Sequence, residues 1–142
     1  MGKLQIDLPE KFIFSTKLDV RIGDLAGGFH LGNHMLVSYL NESMMVLLRE
    51  NGFPNLLIEG YAFINSDLAV IYKSESFHGD TLNIDIAIVD FHKNGCDLMF
   101  KVTNERTGME TAIAKMSMLF YDHEKKTIGN VPEKFKAVFH QE

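Results

Sequence analysis

The chain has 142 residues, of which 46% are hydrophobic and 23% charged, enough to bury the core of one ordinary globular domain. Its net charge of −5 comes with 14 Lys and Arg that form no cluster, which excludes the basic patch that nucleic-acid binding requires. No apolar run approaches the roughly 20 residues of a membrane-spanning helix.

The N-terminal residues Met1-Gly2-Lys3-Leu4-Gln5-Ile6 hold neither a signal-peptide core nor a hydroxyl residue suited to myristoylation. A cytoplasmic protein that does not engage membranes is therefore expected. The one cysteine, Cys96, cannot form an internal disulfide and suits a reducing compartment. Without repeats, low-complexity tracts or linkers, residues 1–142 read as one domain.

Residues Phe12 to Arg21 read as a first strand, followed by a loop with Gly23, Gly27 and Gly28. A helix is predicted next. Asn33 is suited to be its N-cap, the run from Met35 to Leu48 is rich in Leu, Met and Val, and Asn51-Gly52 supplies a stop. Its apolar surface, with Leu36, Leu40 and Leu47 on one side and Val37, Met44 and Leu48 on another, is too broad for a surface helix. The polar residues His34, Ser38, Asn41 and Glu42 fall on one stripe that begins at the helix N-terminus.

Four strands follow, over Ala62 to Lys73, Leu82 to Phe91, Cys96 to Thr103 and Thr111 to Tyr121. Turn signals at Gly79-Asp80, Asn94-Gly95 and Thr107-Gly108 separate them and force antiparallel neighbours. Leu82, Ile84, Ile86 and Ile88 alternate with Asn83 and Asp85, the pattern of a sheet covered on one face. The expected class is α+β, with about five antiparallel strands wrapped around one long central helix.

The run Gly23-Asp24-Leu25-Ala26-Gly27-Gly28-Phe29-His30-Leu31-Gly32-Asn33 resembles the Gly-Asp-x-Asp-x-x-Gly-His-Val-Asn-Asn block of hotdog-fold acyl-CoA thioesterases related to the 4-hydroxybenzoyl-CoA family. Asp24, His30 and Asn33 align without a gap. Ser38-Tyr39-Leu40-Asn41-Glu42-Ser43 resembles that family's helix segment, and Tyr72 to Asp80 its strand followed by Gly-Asp. The resemblance extends from about Thr16 to Tyr121. One departure is clear: many members place a catalytic Asp four residues before the His, where this chain has Ala26.

The resemblance implies hydrolysis of an acyl thioester, carried by coenzyme A or a carrier protein, without a covalent nucleophile and with no cofactor beyond the coenzyme A of the substrate. Such hydrolysis requires a polarised carbonyl and a deprotonated water. Unpaired amides in the first helical turn, near His34 and Met35, are candidates for the first task. Glu42 is the first candidate for the base, because the resemblance places a Glu here, with a solvated surface carboxylate as the alternative. Asp24 and His30 are expected to support the site, with loop-turn and structural roles as the respective alternatives. Asn33 is expected to cap the helix and fix its amides, and Gly28 is a substrate-binding candidate.

Asp67, in the polar interruption Asn65-Ser66-Asp67, is a substrate-binding candidate if one subunit's strand faces its partner's helix, and otherwise marks a strand irregularity. No metal site is expected, because no Cys or His cluster completes a ligand set with His30 and His34. A lone protomer would leave a sheet edge unpaired, so a homodimer or homotetramer is expected. A hotdog hydratase or dehydratase is an alternative, as is a non-catalytic acyl-thioester binding protein, the latter suggested by Ala26.

Overall fold

A computed structural model describes residues 3–140. Met1 and Gly2, on which part of the N-terminal reading rests, lie outside the described residues. Strand β1 (Phe14–Asp19) and a 3-10 turn (Ile22–Asp24) lead through the glycine loop to helix α1 (Asn33–Glu50). Strands β2 (Leu57–Ile58), β3 (Tyr61–Tyr72), β4 (Thr81–His92), β5 (Gly95–Asn104), β6 (Glu110–Asp122) and β7 (Thr127–Ile128) precede helix α2 (Glu133–Phe139). The sheet order is β1-β4-β5-β6-β3-β2, with β7 on β6, and each pairing is antiparallel. Five long strands match the five expected from sequence. The additional two are two-residue pieces whose pairings are too brief to leave a periodic signature.

The sheet curls over α1. Leu36, Leu40, Leu47 and Leu48 of the helix are fully buried against Ile84 and Ile86 of β4, Leu98 and Phe100 of β5, and Met116 and Phe120 of β6. Burying a Leu or Phe side chain of this kind contributes about 1.5 to 3 kcal/mol. The polar stripe of His34, Ser38, Asn41 and Glu42 stays exposed. The helix stops as expected: Gly52 takes φ +94°, and the Phe53 amide turns back to the Leu48 carbonyl at 2.9 Å.

The second helix was not anticipated. It follows Pro132, and its Phe135 and Phe139 close the far end of the core against Phe53, Phe63, Phe91 and Phe120. Seven residues hold too few turns for a helical period to stand out in the sequence.

On one margin of the sheet, β2 pairs only with Tyr61 and Ala62 of β3. From Phe63 to Tyr72 that edge has no strand partner among the described residues. The bulge at Asn65/Asp67 lies in this stretch. No helix among the described residues is long and apolar enough to cross a membrane.

Candidate active site

The loop before α1 is fastened from both sides. Leu25 bridges Leu31, His30 bridges Phe77, and the Leu31 amide donates to the Ser76 carbonyl at 2.8 Å. The segment after β3 therefore runs beside the helix entrance. Between them opens a cleft of about 330 Å³, lined on one side by His30, Gly32, Asn33 and Leu36 and on the other by Tyr72 to Ser76 and Thr111.

The helix begins one residue away from the sequence expectation. Gly32, not Asn33, is the N-cap, and among the described residues no side chain caps the helix. The Gly32 carbonyl accepts from the amides of Met35 and Leu36, each at 3.0 Å. A side chain at position 32 would meet the His34 ring, 2.8 Å from where its Cβ would stand. Asn33 is thus the first helical residue, and the Tyr72 hydroxyl donates to its carbonyl at 3.0 Å.

This corrects the choice of amides. The Met35 N–H is already committed to Gly32, and the Gly32 N–H to the Asp24 carbonyl. Among the described residues, the N–H groups of Asn33 and His34 have no backbone acceptor. They are the orphan donors at the positive end of the helix, and Asn33 lies on the cleft wall.

His30 stands at the cleft, and its Nδ1 lies 2.9 Å from the Leu31 carbonyl. A carbonyl can only accept, so Nδ1 carries the proton, and in the neutral ring Nε2 is left as the acceptor. Asp24 makes no hydrogen bond to His30. Asp24 is buried and receives the Tyr39 hydroxyl at 2.5 Å and the Arg21 guanidinium at 3.1 and 3.3 Å. Those bonds, from Tyr39 first and then Arg21, hold its carboxyl below the ordinary carboxylate value. Asp24 clamps the loop to α1 rather than facing the cleft.

Gly28 has φ +87°, and its bare α-carbon lies beside the His30 ring, with the His30 Cδ2 3.5 Å from where a Cβ would be. Phe29 follows with φ 66° and is 80% exposed. The thioesterase block has glycine at this position, which explains a left-handed conformation that a bulky residue adopts only under constraint. Asp67 is exposed and away from the cleft. At its bulge, Asn65 donates to the Asp67 and Ser117 carbonyls and Ser66 to the Ser117 carbonyl, the strand irregularity allowed for from sequence.

Glu42 is exposed two turns along α1 and does not line the entrance cleft of its own chain. With Ser38, Asn41, Met45, Val46 and Arg49 it lines a shallow hollow of about 440 Å³ on the outer face of the helix. The carboxylate on the cleft wall is Glu75, which sequence reasoning passed over along with Ser76 and Thr111. The polar triplet Ser74-Glu75-Ser76 at the end of an apolar strand was the available signal. Cys96 is fully buried, and burial, followed by the neighbouring Asp97 charge, pushes its thiol up to about 12, the behaviour of an inert core residue.

A curled antiparallel sheet around one helix, with an open cleft at the helix N-terminus, defines the chain as a hotdog-fold protein. The sequence profile of the thioesterase-like superfamily matches residues 20–139, and the chain belongs to that family. Membership places it among the thioester hydrolases.

Solved structures share the fold. A 1,4-dihydroxy-2-naphthoyl-CoA thioesterase from Synechocystis is 12% identical, with a TM-score of 0.81 over 90% of this chain and 96% of its own. A Staphylococcus aureus protein in complex with CoA is 16% identical, with a TM-score of 0.81 over 94% of this chain and 84% of its own. A Thermus thermophilus thioesterase complexed with coenzyme A and Zn is 20% identical, with a TM-score of 0.78 over 90% and 98% respectively. A comparison with proteins of curated function returned no match.

Proposed function

We propose that the chain hydrolyses acyl-CoA thioesters to free acid and thiol by activating water. The observation that carries this reading is the open helix mouth, where the Asn33 and His34 amides lack backbone acceptors among the described residues and where His30 and Asn33 line one cleft. Two fold relatives bound to CoA favour coenzyme A as the carrier.

The thioester carbonyl oxygen would be held by the two amides. An amide aimed at a developing oxyanion typically contributes about 3 to 4 kcal/mol to transition-state stabilisation. Glu42 takes a proton from water as the water oxygen bonds to the carbonyl carbon. Collapse of the tetrahedral intermediate breaks the C–S bond, and the departing thiolate takes that proton back from Glu42. His30 Nε2 holds the water in line, and Gly32, as the N-cap, sets the position of the Asn33 and His34 amides.

Because Glu42 is on the outer face of α1, it reaches a cleft only from a second copy of the chain. The open β3 edge from Phe63 to Tyr72 and the exposed α1 hollow favour a homodimer in which both are covered. A cytoplasmic setting suits the buried free thiol of Cys96.

The test is a thiol-release assay over a panel of acyl-CoAs. Free thiol appearing with the acid supports hydrolysis. Water addition without thiol would assign a hydratase, and tight binding without turnover would assign a carrier role.

A further inference from the structure

Across the cleft from the helix, two hydroxyl groups have one proton more than they can spend on each other. Ser76 Oγ and Thr111 Oγ1 are 3.0 Å apart, and both residues line the cavity. Both are more than nine-tenths buried, at 1% and 4% exposure. Ser76 Oγ also accepts from the Asn104 side-chain amide at 3.3 Å. That amide is oriented by neighbours on both ends, because its nitrogen also donates to Asp80 and its oxygen accepts from the Arg106 N–H.

The proton count then has one outcome. If Ser76 donates to Thr111, the Thr111 O–H has no acceptor; if Thr111 donates to Ser76, the Ser76 O–H has none. Neither oxygen has another hydrogen-bond partner among the described residues. One buried O–H is therefore unspent, on one of two residues that line the cavity. Its place is fixed, because the Ser76 carbonyl accepts from Leu31 and the Thr111 carbonyl from Lys73 and Ser74.

We propose that the Ser76–Thr111 pair is a specificity element that donates a hydrogen bond to an oxygen carried by the acyl chain, selecting short oxygenated acyl thioesters over plain alkyl ones. The proposal rests on the thioesterase reading for the position of the thioester at the helix mouth. A cavity of about 330 Å³ is only roughly 9 Å across if treated as a sphere. An oxygen within the first few carbons of the carbonyl is then within reach of the opposite wall. A sealed site that hydrogen-bonds a substrate hydroxyl rejects the analogue lacking it by about 10⁴ or more. Water can enter this open cleft and occupy the vacant acceptor position, so the discrimination expected is smaller, about 10- to 100-fold.

The experiment compares butyryl-CoA with 3-hydroxybutyryl-CoA on wild-type protein and on Ser76→Ala/Thr111→Val. The expected result is a kcat/KM at least about tenfold higher for the hydroxylated substrate in wild type. In the double variant that preference, read as the ratio of the two kcat/KM values, vanishes. Equal turnover of both substrates by wild type overturns the proposal, as does a preference that survives the double substitution. A fall in kcat of equal size for both substrates overturns it too, by assigning the hydroxyls to the attacking water.

Binding of the matching pair of CoA analogues with methylene in place of the thioester sulfur is measured in parallel by calorimetry. An affinity ratio that favours the hydroxylated analogue and is lost in the variant supports the hydroxyl pair even if no thioester is hydrolysed. Equal affinities overturn it. Absence of thiol release from every substrate would instead sink the hydrolytic reading.

Discussion

The Tyr39 hydroxyl, on the second turn of α1, donates to the buried Asp24 carboxylate fifteen residues earlier in the chain, at 2.5 Å. This bond ties the glycine loop to the helix and so sets the position of the cleft. It also gives the fold a pH window.

The Asp24 carboxyl is held below the ordinary value of 3.8 by the bonds from Tyr39 and Arg21. Its contribution to stability is whole above that value and is lost as pH falls through it toward the folded pKa. The Tyr39 phenol is pushed up to about 12, by burial first and then by Asp24, from its usual 10.0. Its contribution is whole below 10 and is lost as pH rises toward 12. Tyr39→Phe should therefore cost about 1 to 3 kcal/mol at neutral pH. Urea midpoints across a pH series should show the gap from wild type shrinking on both the acid and the alkaline side. A gap independent of pH would mean that the variant loses packing rather than this bond.

A second anchor stands under the other wall of the cleft. Asp80 receives the Phe77 amide at 2.8 Å, the Asn104 side chain at 2.9 Å, and Arg106 at 2.6 and 3.1 Å. Arg106 above all, then Phe77 and Asn104, hold its carboxyl well below the usual range. Asp80→Asn places an amide where four donors converge and should destabilise by about 2 to 3 kcal/mol. Arg106→Gln, at a side chain that is 57% exposed, should cost less than Asp80→Asn. Chemical denaturation at pH 7 reads both values. The Asp80→Asn difference should narrow as pH falls below 3.8, because the wild-type carboxylate is then lost too.

The sheet and helix were legible because their signals are periodic. Leu82, Ile84, Ile86 and Ile88 alternate, three of them fully buried, and the Leu residues of α1 recur at helical spacing. The site was legible only where it is local in sequence. His30 and Asn33 sit beside the helix mouth as the motif implied. Asp24 has the right residue type, but its carboxylate is claimed by Tyr39, a contact that only the folded helix creates. Ser76 and Thr111 lie 35 residues apart and meet through the pairing of strand ends, which no spacing rule anticipates. Glu42 lies on the polar stripe as read, yet a stripe fixes a helix face and not which cleft that face meets.

Gly95 shows a signal read for the wrong reason. Asn94-Gly95 suggested a turn dipeptide, but His92 pairs with Gly95, so the turn is Lys93-Asn94 and Gly95 already belongs to β5. Its bare α-carbon faces the backbone of β6, where a Cβ would lie 1.9 Å from the Met118 carbonyl oxygen. A backbone atom cannot move aside as a flexible side chain can. Gly95→Ala should therefore cost about 3 kcal/mol or more, read as a fall in melting temperature. Gly129→Ala is the control: its Cβ would meet the Tyr61 ring, 2.2 Å from Cε1, which can rotate, so its loss should be smaller.

The last prediction separates the two carboxylates. A general base typically contributes about 10²- to 10⁴-fold to rate. If Glu42 acts from a second copy, Glu42→Gln should lower kcat by that range, while Glu75→Gln, on the cleft wall, should lower it less than about tenfold. Mixing subunits adds geometry to the test. Glu42→Gln and His30→Ala homodimers would each be inactive, but half of a random mixture would be hybrids in which one of the two sites has both residues intact. Activity should then return to about a quarter of the wild-type level. No recovery on mixing, together with loss of activity in Glu75→Gln, would move the base to Glu75 within the protomer's own cleft. Recovery with Glu75→Gln still active would fix Glu42 as the residue that crosses the interface.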